Sequence, residues 1–343
     1  MSDKKVILVT GGAGFIGSNF IPYFLEKYKE YNIINIDALT YAGSLENLVE
    51  VDGNNKYKFV KGSITDRKLL EEIFEKYNIT DVIHFAAESH VDNSIERPME
   101  FAITNVIGTL TLLDVARNYW MESPFMYKKG YSESKFHHIS TDEVFGTLGN
   151  EGLFTENTPY APNSPYSASK ASSDFFVRSY FHTYGLNVLT TNCSNNYGPK
   201  QNFEKLIPTI IRKAIKNEII PIYGDGKNIR DWLYVVDHCK GIDLVFHKGK
   251  IGETYNIGGH NERTNIEIAE TICSILDEMI PKDTSYQKQI KFVSDRPGHD
   301  FRYAIDPTKI ENELGWSAEE TFETGIVKTV EWYLQNTKFL KIN

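Results

Sequence analysis

The chain of 343 residues is 41% hydrophobic and 24% charged, which supplies a large core and excludes a disordered polymer. Its 46 acidic against 37 basic side chains leave a formal charge of -9, so it lacks the footprint of a nucleic-acid or anionic-membrane binder, and any phosphate must be held by a local site. Cys193, Cys239 and Cys273 are odd in number and widely spaced; they read as buried small hydrophobes in a reducing compartment, not as a disulfide framework or a metal site. The apolar run Val6 to Val9 is too short for a signal-peptide core or a membrane span, and a cytoplasmic protein is expected.

Taken in chain order, Val- and Ile-rich runs alternate with segments of helical period. Strands are expected at Lys5 to Thr10, Asn32 to Asp37, Tyr57 to Lys61, Asp81 to Ala86, Phe136 to Ser140 and Asn187 to Asn192, with helices at 18–30, 67–77, 99–120 and 167–184. This alternation predicts an α/β fold, a Rossmann-type doubly wound parallel sheet. Beyond about residue 195 the alternation loosens. Helices are expected there at 203–217, 236–247, 265–279 and 322–336, with short strands at Ile220 to Tyr223, Thr254 to Ile257 and Ile290 to Val293. The expected division is a dinucleotide domain over 1–194 and a smaller lobe over 195–343, interleaved because Asn187 to Asn192 reads as a strand returning to the first sheet.

Thr10-Gly-Gly-Ala-Gly-Phe-Ile-Gly17 follows the first strand and opens the first helix, the context in which a glycine motif carries meaning. Glycine there allows a tight turn, close approach of the backbone to a pyrophosphate and close helix–sheet packing, while the helix amino terminus offers N–H groups to the anion. Gly11, Gly14 and Gly17 also have the GxxGxxG spacing of short-chain dehydrogenases. Asp37 ends the second strand 20 residues after Gly17, where a carboxylate accepts from ribose hydroxyls and repels a 2′-phosphate. Ala38-Leu39-Thr40 follows with no Arg to receive that phosphate, so the expected cofactor is NAD and not NADP.

Tyr166-Ser-Ala-Ser-Lys170 sets a phenol and an ammonium four residues apart, on one face of a helix. A phenol titrates near 10, and a neighbouring ammonium together with a positive nicotinamide ring favours its phenolate, a base for a sugar hydroxyl. The alternative is an exposed helix face. Thr141, at the mouth of the preceding strand, can orient the same hydroxyl. Asp142 and Glu143 follow directly, and two carboxyls whose pKa values are pushed apart suit elimination of water, which oxidation and re-reduction of a hydroxyl do not require. Their alternative is to cap the next turn or to stay solvated.

These segments, with Phe85-Ala-Ala-Glu-Ser-His-Val-Asp92, Asn192-Cys-Ser-Asn-Asn-Tyr-Gly-Pro199 and Asp295-Arg-Pro-Gly-His299, resemble the dTDP-glucose 4,6-dehydratases, a family of extended short-chain dehydrogenases, over nearly the whole chain. The resemblance implies that Tyr166, helped by Thr141 and Lys170, takes the 4-hydroxyl proton, that Glu143 removes the C5 proton, and that Asp142 protonates the departing C6 hydroxyl. NAD would stay bound and be regenerated each turnover, and the product of dTDP-glucose would be dTDP-4-keto-6-deoxyglucose, a precursor of rhamnose and other deoxysugars. It further implies that Phe15, Ile16, Asp37, Thr40, Ser63, Ile64, Ala86, Ala87, Thr104 and Asn196 line the NAD site and that Ser89 and Asn195 face the substrate. Lys205, Leu206, Pro221, Tyr223, Arg230, Asn265, Arg296 and His299 would form the nucleotide pocket, with Arg230 and Arg296 on the diphosphate. Ser63 departs from the aspartate usual in the family, which implies a weaker adenine contact. The family is usually dimeric through Rossmann helices, and the apolar stretch Phe101 to Ala116 reads equally as such a face or as a buried core helix. A UDP-sugar 4-epimerase or another sugar-nucleotide dehydratase would share the NAD site and the tyrosine–lysine pair, and a silent NAD-binding regulator would share the fold alone. Asp142-Glu143 argues against the epimerase, and intact Thr141, Tyr166 and Lys170 argue against the regulator.

Overall fold

Ile7 to Thr10 are all buried, so this strand has no solvated face and must be covered on both sides. In the computed structural model, which describes residues 5–295 and 297–341, it lies inside a seven-stranded parallel sheet. The strands are β1 (Lys5–Thr10), β2 (Tyr31–Asp37), β3 (Tyr57–Lys61), β4 (Asp81–His84), β5 (Phe136–Thr141), β6 (Val188–Cys193) and β7 (Thr254–Ile257), in the order β3-β2-β1-β4-β5-β6-β7. Ile7 and Val9 face a layer containing helices Phe15–Lys27 and Val235–Lys248, while Leu8 faces Arg67–Tyr77, Thr109–Trp120 and Pro165–Tyr184. The strand order reverses between β1 and β4, which opens a crevice at the carboxyl ends of the strands. Thr10, Asp37, Thr141 and Cys193 all end strands at that edge.

The expected elements are present with ends shifted by a few residues, strand Ile229–Tyr234 and helix Thr308–Leu314 among others are additional to those expected, and three further features bear on the site. First, Thr254–Ile257, expected in the smaller lobe, pairs in parallel with β6 from Thr254 opposite Thr190 to Ile257 opposite Cys193. Four residues carry no periodicity that could assign them to a sheet; pairing decides. Second, the helix expected at 99–120 is α-helical at Pro98–Phe101, π-helical at Ala102–Gly108 and α-helical again at Thr109–Trp120. A π segment inserts a residue into the ladder and frees backbone groups. Here the Asn105 carbonyl accepts from Ser173 Oγ at 2.7 Å, while the Asn105 side chain bonds the backbone of Glu88 at 2.8 and 3.0 Å and donates to Ser169 Oγ at 2.8 Å. The segment thereby ties the loop after β4 to helix Pro165–Tyr184. By length and composition Pro98–Trp120 could cross a membrane, yet it packs against helices Arg67–Tyr77 and Pro165–Tyr184 as one of the layers covering the sheet.

Third, Pro22 stands inside helix Phe15–Lys27, where it cannot donate to the carbonyl of Ser18. Lys200 supplies the missing donor, its Nζ lying 3.2 Å from Ser18 O and 3.1 Å from a Glu50 carboxylate oxygen. This draws the loop after Pro199 against the helix that opens with the glycine turn, and Asn19 Nδ2 adds a bond to Pro199 O at 2.9 Å.

The rest of the chain after β6 builds the smaller lobe. Helices Leu206–Ile215, Asn265–Met279 and Phe322–Gln335 share one core with strand Ile220–Tyr223, which pairs in parallel with Ile290–Val293. Strand Ile229–Tyr234 pairs with Asn195–Tyr197, Glu262–Thr264 and Arg302–Tyr303. Because Asn195–Tyr197 follows β6 after one residue, the end of the large sheet runs directly into the small one, and the crevice lies between them.

Candidate active site

The glycine turn needs its glycines for separate reasons. Gly11 has φ +70°, and a Cβ there would sit 2.6 Å from the Ala86 Cα, so no other residue fits without moving β4's exit. A Cβ at Gly17 would meet the Gly12 Cα at 2.7 Å, which shows how tightly the helix closes on the turn. Gly14 is different: a Cβ there would touch only the Gly11 carbonyl at 3.3 Å, so its open side is the crevice. Gly14 also caps helix Phe15–Lys27 without any side-chain acceptor, leaving the helix amino terminus facing the crevice. That cradle has the chemistry and the room for a pyrophosphate.

Asp37 braces the cradle as well as lining it. Its Oδ2 accepts from Ala13 N at 2.9 Å and its Oδ1 from Leu39 N at 2.8 Å, while burial raises its pKa. One continuous cleft is lined by Gly11, Gly14, Phe15, Ile16, Gly17, Asp37, Thr40, Ser63, Ile64, Ala86, Ala87, Thr104 and Asn196, and by Tyr166 and Lys170. Thr141, Asp142, Glu143, Ser89, Asn195 and Lys205 line the same cleft. Every residue expected around NAD is thus brought to one place, and these residues fit a dinucleotide.

Ser63 is engaged locally: its Oγ lies 2.8 Å from Thr65 Oγ1 and accepts from Thr65 N at 3.2 Å. A carboxylate at this position would present a charged acceptor to an adenine amino group, and one such bond is worth about tenfold in affinity. Ser63→Asp is therefore expected to tighten NAD binding about tenfold by calorimetric titration; an unchanged dissociation constant would remove Ser63 from the adenine contact.

Thr141 ends β5 and caps the short 3-10 turn Asp142–Phe145, its hydroxyl accepting from Glu143 N at 3.3 Å. The two carboxylates begin that turn but do not cap it, and Asp142 is only 2% exposed. Asp142 Oδ1 accepts from Thr141 Oγ1 at 3.3 Å, whereas the buried Oδ2 has no protein partner among the described residues. Burial first, then the charges of Glu143 and Asp231, hold the Asp142 carboxyl well above its usual range, with Arg230 opposing. A carboxyl so placed holds its proton more tightly than a solvated one.

Tyr166 and Lys170 are 8% and 4% exposed, which removes the exposed-face alternative. Ser164 and Ser167 form a capping box and Pro165 takes the first helical position, so the helix starts one residue before the tyrosine. Lys170 Nζ donates to Ile139 O at 2.8 Å. The pKa of Tyr166 lies well above 10, raised by burial first and then by Glu143 and Cys193, with the Thr141 hydroxyl opposing. The sequence reading expected the ammonium together with a positive nicotinamide ring to favour the phenolate; among the protein's own groups burial is the first cause and acts the other way, because the phenol is removed from water.

The residues expected in the nucleotide pocket divide. Lys205 Nζ reaches Ser89 O at 2.9 Å across the cleft. Leu206, Pro221, Tyr223, Arg230, Asn265 and His299 lie outside the cleft lining, in the smaller lobe, and Arg296 lies outside the described residues. Tyr223 stands edge-on to His299 at 6.3 Å, and His299 Nδ1 lies 2.7 Å from Asp295 Oδ1. Asn265 N bonds Asn228 O at 3.1 Å. Arg230 is held by the carbonyls of Ile229 at 2.7 Å and Asp300 at 2.9 Å and lies 4.1 Å over the Tyr303 ring. Its charge still acts on Asp142, so this second group adjoins the acidic pair.

Several site residues escaped the sequence reading. Cys193, read only as a small hydrophobe, lines the cleft with its thiol 3.6 Å from Ser140 O, and burial pushes that thiol up. Asn105 and Asp174 stand on helices whose periodicity shows only that they face inward.

The family model for GDP-mannose 4,6 dehydratase matches residues 8–329. The dTDP-glucose 4,6-dehydratase of Xanthomonas campestris pv. campestris (strain B100) is 54% identical over 97% of this chain and 94% of its own length. The chain belongs to the dTDP-glucose 4,6-dehydratase family. A second member, from Shigella flexneri, is also 54% identical, over 98% of this chain and 94% of its own. Among solved structures, the dTDP-glucose 4,6-dehydratase of Bacillus anthracis in complex with NAD is 47% identical, with a TM-score of 0.87 over 98% of this chain and 99% of that one. The UDP-glucose 4-epimerase of Thermotoga maritima reaches a TM-score of 0.84 at 29% identity, over 97% and 99% of the two chains. Fold alone therefore does not separate dehydratase from epimerase. Within this fold, sequence identity separates the 4,6-dehydratases from the epimerase.

Proposed function

We propose that the chain dehydrates dTDP-glucose to dTDP-4-keto-6-deoxyglucose, acting as an NAD-dependent hydro-lyase that regenerates its cofactor in each turnover. The observation that carries this reading is the buried acid Asp142 beside Glu143, Thr141 and Tyr166 at one end of a cleft whose other end is the glycine turn. NAD, when bound, supplies a hydride acceptor for sugar C4, a donor for C6, and a positive ring that favours the Tyr166 phenolate. Tyr166, bonded to Thr141 and backed by Lys170, accepts the 4-hydroxyl proton. The resulting ketone acidifies C5–H, and Glu143 removes that proton while Asp142 gives one to the departing C6 hydroxyl. Glu143 then returns a proton to C5. Tyr166 has gained one proton and Asp142 has lost one, so the next turnover begins only after both are reset. Incubation with dTDP-glucose tests the reading: a 4-keto-6-deoxy sugar formed without net NADH is expected, and dTDP-galactose or no turnover overturns it.

The same reading assigns residues 1–194 mainly to NAD and 195–343 mainly to the sugar nucleotide, with Arg230, Tyr223, His299 and their neighbours closing on the nucleotide. The two parts interleave through β7 and helix Val235–Lys248. The formal charge of -9 fits a cytoplasmic enzyme with no nucleic-acid or membrane partner. A homodimer is supported by the exposed side chains of Met99, Ile103 and Ile107, at 68%, 48% and 51%, beside Phe175 at 58% on the neighbouring helix. Four large apolar groups on adjacent helices form a patch that a second copy would cover. The double substitution Ile103→Glu and Ile107→Glu is expected to give a monomer by sedimentation velocity; a variant that sediments as the wild type overturns this face.

A further inference from the structure

Asp174 stands four residues beyond Lys170 on helix Pro165–Tyr184 and is 5% exposed. Its Oδ1 lies 2.9 Å from His138 Nε2, and its Oδ2 accepts from Ser140 Oγ at 2.8 Å and Tyr160 OH at 2.9 Å. His138 and Ser140 flank Ile139 on β5, and the Ile139 carbonyl accepts from Lys170 Nζ at 2.8 Å. Carboxylate and ammonium therefore grip three consecutive residues of the strand that ends in Thr141. We propose that Asp174 is a positioning residue for the reaction: it is the buried counter-ion that keeps Lys170 an ammonium ion and clamps the reactive helix to the strand carrying Thr141. This rests on the reading of Tyr166 and Lys170 as the pair that oxidises C4.

The charges around Asp174 leave it this role. His138 is fully buried and its pKa is pushed well below the ordinary value by burial and by Lys170, so it is neutral. Its Nδ1 has no protein partner among the described residues, which puts its proton on Nε2, aimed at Asp174. The His84 ring, 5.3 Å from His138, is likewise kept neutral by burial. Tyr160 stays a neutral phenol because burial and Asp174 raise its pKa. On the cleft side stand Asp142, Glu143, Tyr166 and Cys193, none of them cationic at neutral pH. Among the described residues Lys170 is the cation that acts on Asp174, and it opposes the burial that raises this carboxyl to about 6. In turn, burial pulls the Lys170 pKa down, and Asp174 is the first group to oppose it. An ammonium buried without an anion sheds its proton.

Asp174→Asn keeps the size and removes the charge, but it has one acceptor oxygen in place of two, so its NH2 must face either His138 Nε2 or the Ser140 and Tyr160 hydroxyls. The basic limb of kcat/KM against pH, where Lys170 loses its proton, is expected to move down by at least about one unit, a tenfold loss on that limb. A purely structural role would lower kcat/KM uniformly and leave the limb in place, which would overturn the proposal. In a Lys170→Met background the same substitution is expected to cost nothing further; an undiminished loss there also overturns it. Should Asp174→Asn fail to fold, Asp174→Ser, which leaves room for water, is read by the same two criteria. Full activity of Lys170→Met alone would instead sink the underlying reading of the tyrosine–lysine pair.

Discussion

Glu143→Gln is expected to accumulate NADH on the protein when dTDP-glucose is added, while formation of the 4-keto-6-deoxy sugar falls by about 10²–10⁴-fold, the usual worth of a positioned general base. The amide preserves shape and leaves the backbone bond from residue 143 to Thr141 intact. Its effects on the neighbours can be signed. The Glu143 charge raises the pKa of Tyr166 and of Asp142, so its removal eases deprotonation of both. Burial, the larger cause in each case, remains. Oxidation at C4 is therefore not impaired, and the block falls at the C5 proton. Stopped-flow absorbance of NADH together with product analysis checks this, and full dehydratase activity would remove Glu143 from the mechanism.

The second large effect lies one step earlier. Tyr166→Phe is expected to form neither NADH nor product, with turnover down by about 10²–10⁴-fold. The ring contact with Phe101, edge-on at 6.3 Å, survives the change, so thermal stability should move little and the loss belongs to the hydroxyl. NADH appearing at the wild-type rate in this variant would show that another group takes the 4-hydroxyl proton. Glu143→Gln halts the protein with a reduced cofactor and Tyr166→Phe with an oxidised one, so the pair separates oxidation from elimination.

Much of this site was legible because its signals are local. The glycine turn couples a strand to a helix within a few residues, and Gly11 at φ +70° against Ala86 is a constraint that only glycine meets. Asp37 at the end of β2 and the four-residue spacing of Tyr166 and Lys170 follow from strand and helix periods. The run Thr141-Asp142-Glu143 is contiguous. Other features depend on groups far apart in the chain. The Asp142 carboxyl is held above its usual range first because folding removes it from water, then by the adjacent Glu143 and by Asp231, which folding brings near. Lys200 matters to helix Phe15–Lys27 only because Pro22 leaves the Ser18 carbonyl without a helical donor.

By itself, then, the sequence determined the doubly wound fold and the glycine cradle, since each is written in short-range spacing, and its resemblance to a family named the candidate reacting side chains. Tertiary structure alone decided that Thr254–Ile257 completes the large sheet, that the helix after β4 widens at Asn105, and that Asp174 and Lys170 both bond to the strand around Ile139. The reason is physical. Strand partners, burial and the field of a distant charge are properties of pairs of segments, and neither segment carries them alone.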